Sequence, residues 1–173
     1  VWDSATGNEL AVLPRDEDWD YSAPFSPDGS KIVITSSDKT VRVWDSATSK
    51  EVALLRGHEG NVHGAQFSPD SKMVVTASDD KTARLWDAST GKQLAILRGH
   101  TNSVNTANFS PDGKMIVTAS DDRTARVYLV HMQDLIDLAR TRVTRELTCE
   151  ERVRYLRQEI VCPTPTPTAS PTP

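Results

Sequence analysis

The sequence predicts an all-β fold of about three four-stranded sheets, followed by a short helical hairpin and a disordered Pro/Thr linker. Three observations carry this expectation: a repeat of 42 residues, short apolar strands separated by tight turns inside each repeat, and the loss of that pattern after Tyr128.

The repeat is anchored on Trp2, Trp44 and Trp86, each followed by Asp and each 42 positions from the next, and one more step lands on Tyr128. "FSPDG" at 25–29 returns as "FSPDS" at 67–71 and "FSPDG" at 109–113, while "RGH" at 56–58 returns at 98–100. The first unit departs from the pattern. Arg15 and Asp16 stand where Gly-His is expected, and its second strand reads as carrying one extra residue, Ser30, balanced by one fewer before Asp38.

In the middle unit the strands are expected at about 61–67, 72–78, 82–86 and 93–97. Ser-Pro-Asp-Gly makes the first turn and a pair of acids the second, because Asp and Ser side chains hydrogen-bond nearby backbone amides and Gly accepts a left-handed conformation. The stretch "KMVVTAS" is apolar on both faces, as in a sheet covered on each side. Val62, Ala65 and Phe67 break strict alternation, which places a β-bulge near His63 and Gly64. No turn and outer strand follow Tyr128, so the last sheet lacks its fourth strand.

Beyond the repeats, Met132, Ile136, Ala139 and Val143 recur at helical spacing. "TCEE" at 148–151 is a capping box opening a second helix with Val153, Leu156 and Ile160 inward. This hairpin is expected to dock on the last sheet through its apolar stripe. Cys149 and Cys162 flank the second helix and either bridge or remain free thiols; neither has the spacing of a zinc ligand pair. "PTPTPTASPTP" reads as an extended linker. The domain plan is therefore 1–130 repeats, 131–162 helical extension and 163–173 linker.

Charge and hydropathy narrow the partners. The 173 residues carry 20 basic and 24 acidic side chains, a net charge of -4, and the helical segment balances its arginines against its acids, so no nucleic-acid partner is expected. No apolar run is long enough to span a bilayer and no leader pattern opens the chain, so no membrane insertion is expected. The cytoplasm is favoured over the cell surface. Val1 opens the chain inside a motif, which reads as a fragment of something longer.

Thr76, His58 and Asp80 mimic a hydroxyl, imidazole and carboxylate triad. The set recurs at the repeat period, however, and its hydroxyl sits on a strand buried on both faces, where no substrate reaches. Asp79 with Asp80, and Asp121 with Asp122, lie in turns with no third ligand at metal spacing. No catalytic residue, metal or cofactor is expected.

A period of about forty residues with Gly-His, then "FSPDG", then an acidic turn, then Trp-Asp, resembles the WD-repeat β-propeller family, and the likeness covers 1 to about 130. The resemblance implies that each four-stranded sheet is a blade with "VHGAQF" as an innermost strand. It implies a buried hydrogen-bond tetrad of His58, Thr76, Asp80 and Trp86, with His100, Thr118, Asp122 and Tyr128 in the next unit and an incomplete set of Thr35, Asp38 and Trp44 in the first. Three blades fall short of the four to eight of typical propellers, so a partial WD-type β-propeller in an open arc is expected, with further blades from missing N-terminal sequence. Closed members often complete the last blade with a strand from the other end of the chain, and that end is expected to lie outside this sequence.

Function is expected where the repeats differ. Position 19 of the repeat reads Trp19, Asn61, Ser103; position 21 reads Tyr21, His63, Asn105; position 24 reads Pro24, Gln66, Asn108. These positions line the head and length of the inner strand, around which the family's partner-binding face is built. The partner-binding candidates are thus Trp19, Tyr21, Asn61, His63, Gln66, Ser103, Asn105 and Asn108, the two aromatics being types that dominate interfaces. The leading expectation is a non-catalytic interaction scaffold or sensor module of a larger bacterial signalling protein, binding a protein or peptide. "LIDLARTRVTRELTCEERVRYL" is similar to the helical segment that closes many bacterial WD-repeat proteins. A surface-displayed recognition domain on a Pro/Thr tether and a propeller-based enzyme are the alternatives.

Overall fold

The computed structural model describes residues 1–2, 5–9 and 23–130; Trp19, Tyr21, both cysteines, the expected helices and the linker lie outside the described residues. The ten strands described here make three antiparallel sheets. The first comprises β1 (Lys31–Thr35), β2 (Val41–Asp45) and β3 (Glu51–Leu55), in that order. The second is a complete meander of β4 (Val62–Phe67), β5 (Met73–Ser78), β6 (Ala83–Asp87) and β7 (Gln93–Leu97). The third comprises β8 (Val104–Phe109), β9 (Met115–Ser120) and β10 (Ala125–Leu129), with β9 central.

The turns follow from the residues that open them. Ser26, Ser68 and Ser110 each donate a hydroxyl hydrogen bond of 2.6 Å to the Asp two residues on, Asp28, Asp70 and Asp112. Asp38, Asp80 and Asp122 accept the amides of Thr40, Thr82 and Thr124 at 2.9 to 3.0 Å. Asp87, of the third Trp-Asp pair, accepts the amides of Ser89 and Thr90 at 3.0 and 2.8 Å. These are the short-range Asx and Ser bonds that let a turn satisfy its own backbone.

Packing runs in series. β1 lies against β4, and β4 and β5 lie against β8. Val33, Val41 and Val43 of the first sheet share a core with Val62, Ala65, Phe67 and Val74 of the second. Val75, Ala77, Ala83 and Leu85, on the opposite face of the second sheet, share another with Val104, Ala107 and Ile116 of the third. The third sheet has no such cover among the described residues: Met115, Val117 and Val127 are 41, 42 and 64% exposed. β5 is accordingly buried on both faces, whereas β9 alternates between buried and exposed. The meander is a WD-type blade, and the three together are a partial propeller.

The register corrects one reading of the first unit. Ile34 pairs with Arg42 as Thr76 pairs with Arg84, and Thr35 pairs with Val41 as Ala77 pairs with Ala83. Ser30 is therefore no insertion; its carbonyl accepts from the Ser46 amide as that of Lys72 accepts from Ala88. Ile34, not Thr35, stands in the place of Thr76. The misplacement has a simple source, since three hydroxyls run together at Thr35, Ser36 and Ser37.

Candidate functional site

The residues implied by the triad-like motif come together inside the second blade. Trp86 Nε1 donates to Thr76 Oγ1 at 2.9 Å, Thr76 Oγ1 lies 2.7 Å from His58 Nε2, and His58 Nδ1 lies 2.7 Å from Asp80 Oδ2. An indole only donates and a carboxylate only accepts, so with a neutral imidazole the Nδ1 proton goes to Asp80 and the Thr76 hydroxyl donates to Nε2. All four are secluded; Thr76 and Trp86 are 0 and 1% exposed and the His58 side chain 1%. Burial pushes the Asp80 carboxyl up, but hydrogen bonds from His58, Thr82 and the Glu59 amide outweigh it and hold the group well below the usual carboxylate range. The Asp80 carboxylate and the Thr76 hydroxyl thus have their hydrogen bonds engaged within the blade.

The third blade repeats the His100–Asp122 and His100–Thr118 bonds at 2.8 and 2.7 Å. Tyr128 stands at the Trp position in register, opposite Ile116 as Trp86 is opposite Val74. Its hydroxyl reaches past Thr118 and donates to the Arg98 carbonyl at 3.1 Å, so the relay there ends at the threonine. In the first blade Ile34 supplies no hydroxyl, and Trp44 Nε1 is buried with no hydrogen-bond partner. Asp38 turns to Arg42 at 3.5 Å.

An arginine at the same step of the repeat went unread in the sequence. Arg84, only 8% exposed, reaches Asp80 at 3.3 Å and Gln93 at 2.8 Å and lies over Gly57, where a Cβ would meet its guanidinium at 2.6 Å. Arg42 and Arg126 hold the corresponding places in "VRVWD" and "ARVYL", and that period was the available signal.

The partner-binding candidates sort differently. His63 and Asn105 are the extra residues of two β-bulges, where register slips between Val62 and Gly64 and between Val104 and Thr106. A bulge re-aims a side chain off the sheet. His63 Nε2 meets Asp79 Oδ1 at 2.6 Å, and Asn105 Nδ2 donates to Asp121 Oδ1 at 2.5 Å. Asp79 is held below the ordinary carboxylate value, first by the His63 hydrogen bond against a smaller opposing effect of burial, then by Ser103 and Asn61. Four residues from two blades thus meet at one seam: His63, Asp79, Asn61 and Ser103. Gly60 turns the chain so tightly there that a Cβ would lie 2.7 Å from the Asp80 amide. Gln66 has a different task, its Oε1 accepting the Phe109 amide at 2.9 Å and tying the second blade to the third. Asn108 is exposed on β8.

Two clefts, lined by Lys31, Lys72 and Asp87 and by Asp70, Met73 and Asp112, contain none of the candidates. Among the described residues no cluster of His, Cys, Asp or Glu could hold a metal ion, and no helix is long and apolar enough to cross a membrane.

A four-stranded antiparallel blade held by a Trp, Thr, His and Asp relay, inside a sequence whose landmarks return every 42 residues, has the features of a WD-repeat protein. The WD40 family model, WD domain, G-beta repeat, matches residues 19–45, 49–87 and 91–128, and the chain belongs to that family. Among solved structures it is similar to a computationally designed Ika4 protein, at 28% identity and a TM-score of 0.68 over 75% of this chain and 78% of that one. No curated protein matches the chain.

Proposed function

We propose that this chain is a non-catalytic protein-interaction scaffold or sensor module of a larger bacterial signalling or regulatory protein. The observation that carries the reading is the division of labour between repeats. Positions that recur are committed to braces and turns, while the two bulged residues, His63 and Asn105, differ between repeats and are aimed with Asn61 and Ser103 toward the same rim. WD40 domains are protein-interaction scaffolds as a kind, and hydrogen-bonding side chains of differing identity on a rigid rim supply polar specificity to a protein or peptide partner. The likeness of the tail to helical segments of bacterial WD-repeat proteins supports the bacterial setting, and the net charge of -4 argues against a nucleic acid.

The test is quantitative capture from the source cell by the wild type and by the double variant His63→Ala, Asn105→Ala. A specific partner retained by the wild type should fall at least about tenfold in the variant with the melting temperature unchanged, the loss expected of two interface side chains. Equal retention would sink the reading.

A further inference from the structure

The inner strands β4 and β8 lie against one another and start at the same rim, where Asp79 takes hydrogen bonds from His63 and Asn61 of its own sheet and from the Ser103 hydroxyl of the next. At the far end of the same pair, Gln66 Oε1 accepts the Phe109 amide at 2.9 Å. The direction of that amide follows from parity. Ser110 donates to the Met115 carbonyl on the β9 side, so the preceding amide, that of Phe109, points off the inner edge of β8, where β9 offers it no partner. The second and third sheets are therefore tied at both ends of their inner strands.

The preceding seam is built differently. Pro24, whose side chain has no acceptor, stands in the place of Gln66, and Ser37 stands in the place of Asp79. There the Asp28 amide donates to Ser71 Oγ at 3.2 Å, a tie between turns. In the third sheet the place of Gln66 is held by Asn108, one methylene shorter. Among the described residues, the double tie thus sits at the seam where rim candidates of two sheets meet.

A strand held at one end can pivot and slide against its neighbour, whereas a strand held at both ends keeps one stagger. We propose that Gln66 is a positioning residue for the rim: by taking the Phe109 amide it fixes the stagger of β8 against β4, and so keeps Ser103 and Asn105 in place beside Asp79 and His63. Its bearing on a partner rests on the reading of that rim as the binding face. Gln66 acts there without touching the partner, by setting the spacing between polar groups that two different sheets supply.

The test uses the full 173-residue chain and follows the Phe109 amide and the Asp79 carboxyl by NMR. Gln66→Leu keeps the bulk of the side chain and removes the acceptor. Phe109 exchange should quicken at least about tenfold. Asp79, released by Ser103, should titrate about half a pH unit higher, a threefold change in proton affinity. Gln66→Glu, whose carboxyl oxygens accept in either charge state, should return both readings to the wild-type values. Ser103→Ala should raise the Asp79 titration by itself, and adding Gln66→Leu to it should raise it no further, because the two act along one route. Where leucine disturbs the packing, Gln66→Ser repeats the comparison with a hydroxyl too short to span the gap. A glutamine that served only to hold the fold would lower the melting temperature of Gln66→Leu and leave Asp79 unmoved. That result, a shift undiminished in the Ser103→Ala background, or a Gln66→Glu chain that behaves as Gln66→Leu would each overturn the proposal. None of these readings needs a partner, so an unmoved Asp79 defeats the positioning role alone, while equal partner retention by the His63→Ala, Asn105→Ala variant defeats the scaffold reading alone.

Discussion

At the scale of single residues, the second blade shows what a complete relay does and the first shows what its loss leaves. Trp86 donates to Thr76, whereas Trp44, in the same place, donates to nothing. Trp86→Phe should therefore destabilise the chain by about 1 kcal/mol more than Trp44→Phe, since only the former gives up a made hydrogen bond. Urea unfolding of the two variants checks it. Asp80→Ala should cost about 1 to 3 kcal/mol because it strands the His58 proton and the Thr82 and Glu59 amide donors inside the blade. A thermal melt equal to wild type would refute the brace. The carboxyl of Asp80 is depressed in the folded chain, so its contribution is present above the ordinary carboxylate value and declines as pH falls through that value toward the lower folded one. Stability measured between pH 7 and pH ~3 should therefore fall in the wild type more steeply than in Asp80→Asn, with most of the difference appearing below about pH 4. The relay members of the second unit were readable from residue types and period alone. Ile34 was missed because adjacent hydroxyls offered a plausible wrong register, although the 42-residue step back from Thr76 lands on Ile34, and the pairing with Arg42 agrees with that step.

At the scale of elements, the turns repeat a backbone shape even where the residue changes. Gly7, Ser49 and Gly91 occupy one turn position with φ of 70, 55 and 71°. An L-residue in this left-handed region costs about 1 kcal/mol, so Ser49→Gly should raise stability by up to that amount, less the chain entropy that glycine adds to the unfolded state. Gly91→Ala should do the reverse by more than about 1 kcal/mol, because its Cβ would lie 2.7 Å from the Leu54 carbonyl oxygen as well as in a strained conformation. Differential scanning calorimetry of the pair decides both. Strand positions were legible to within one residue: 61–67 against Val62–Phe67, 72–78 against Met73–Ser78, and 93–97 matching Gln93–Leu97. The bulge was legible too, from the broken alternation of Val62, Ala65 and Phe67, and His63 and Gly64 sit in it. What the pattern could not tell is where a bulged side chain goes. His63 on Asp79, a strand-to-turn contact, and Gln66 on the Phe109 amide, a contact between strands of two sheets, are set by twist and inter-sheet spacing, and a linear string carries neither.

At the scale of the whole molecule, identical side chains have different worth according to which sheet they are on. Val75 is fully buried between the second and third sheets, and Val117, one repeat later, is 42% exposed. Val75→Ala should cost about 2 kcal/mol and Val117→Ala less than about 0.5 kcal/mol in dilute solution, which chemical denaturation measures directly. Because each described sheet packs chiefly against its sequence neighbours, the described region behaves as a one-dimensional row of coupled units, the middle coupled on two sides and the third on one. Such a row does not melt all at once. Native-state hydrogen exchange should then reveal an ordered fraying, with β10 opening at the lowest free energy and β5 near the global value. Among the described residues, the bare face of the third sheet thereby sets the direction in which the row of sheets comes apart.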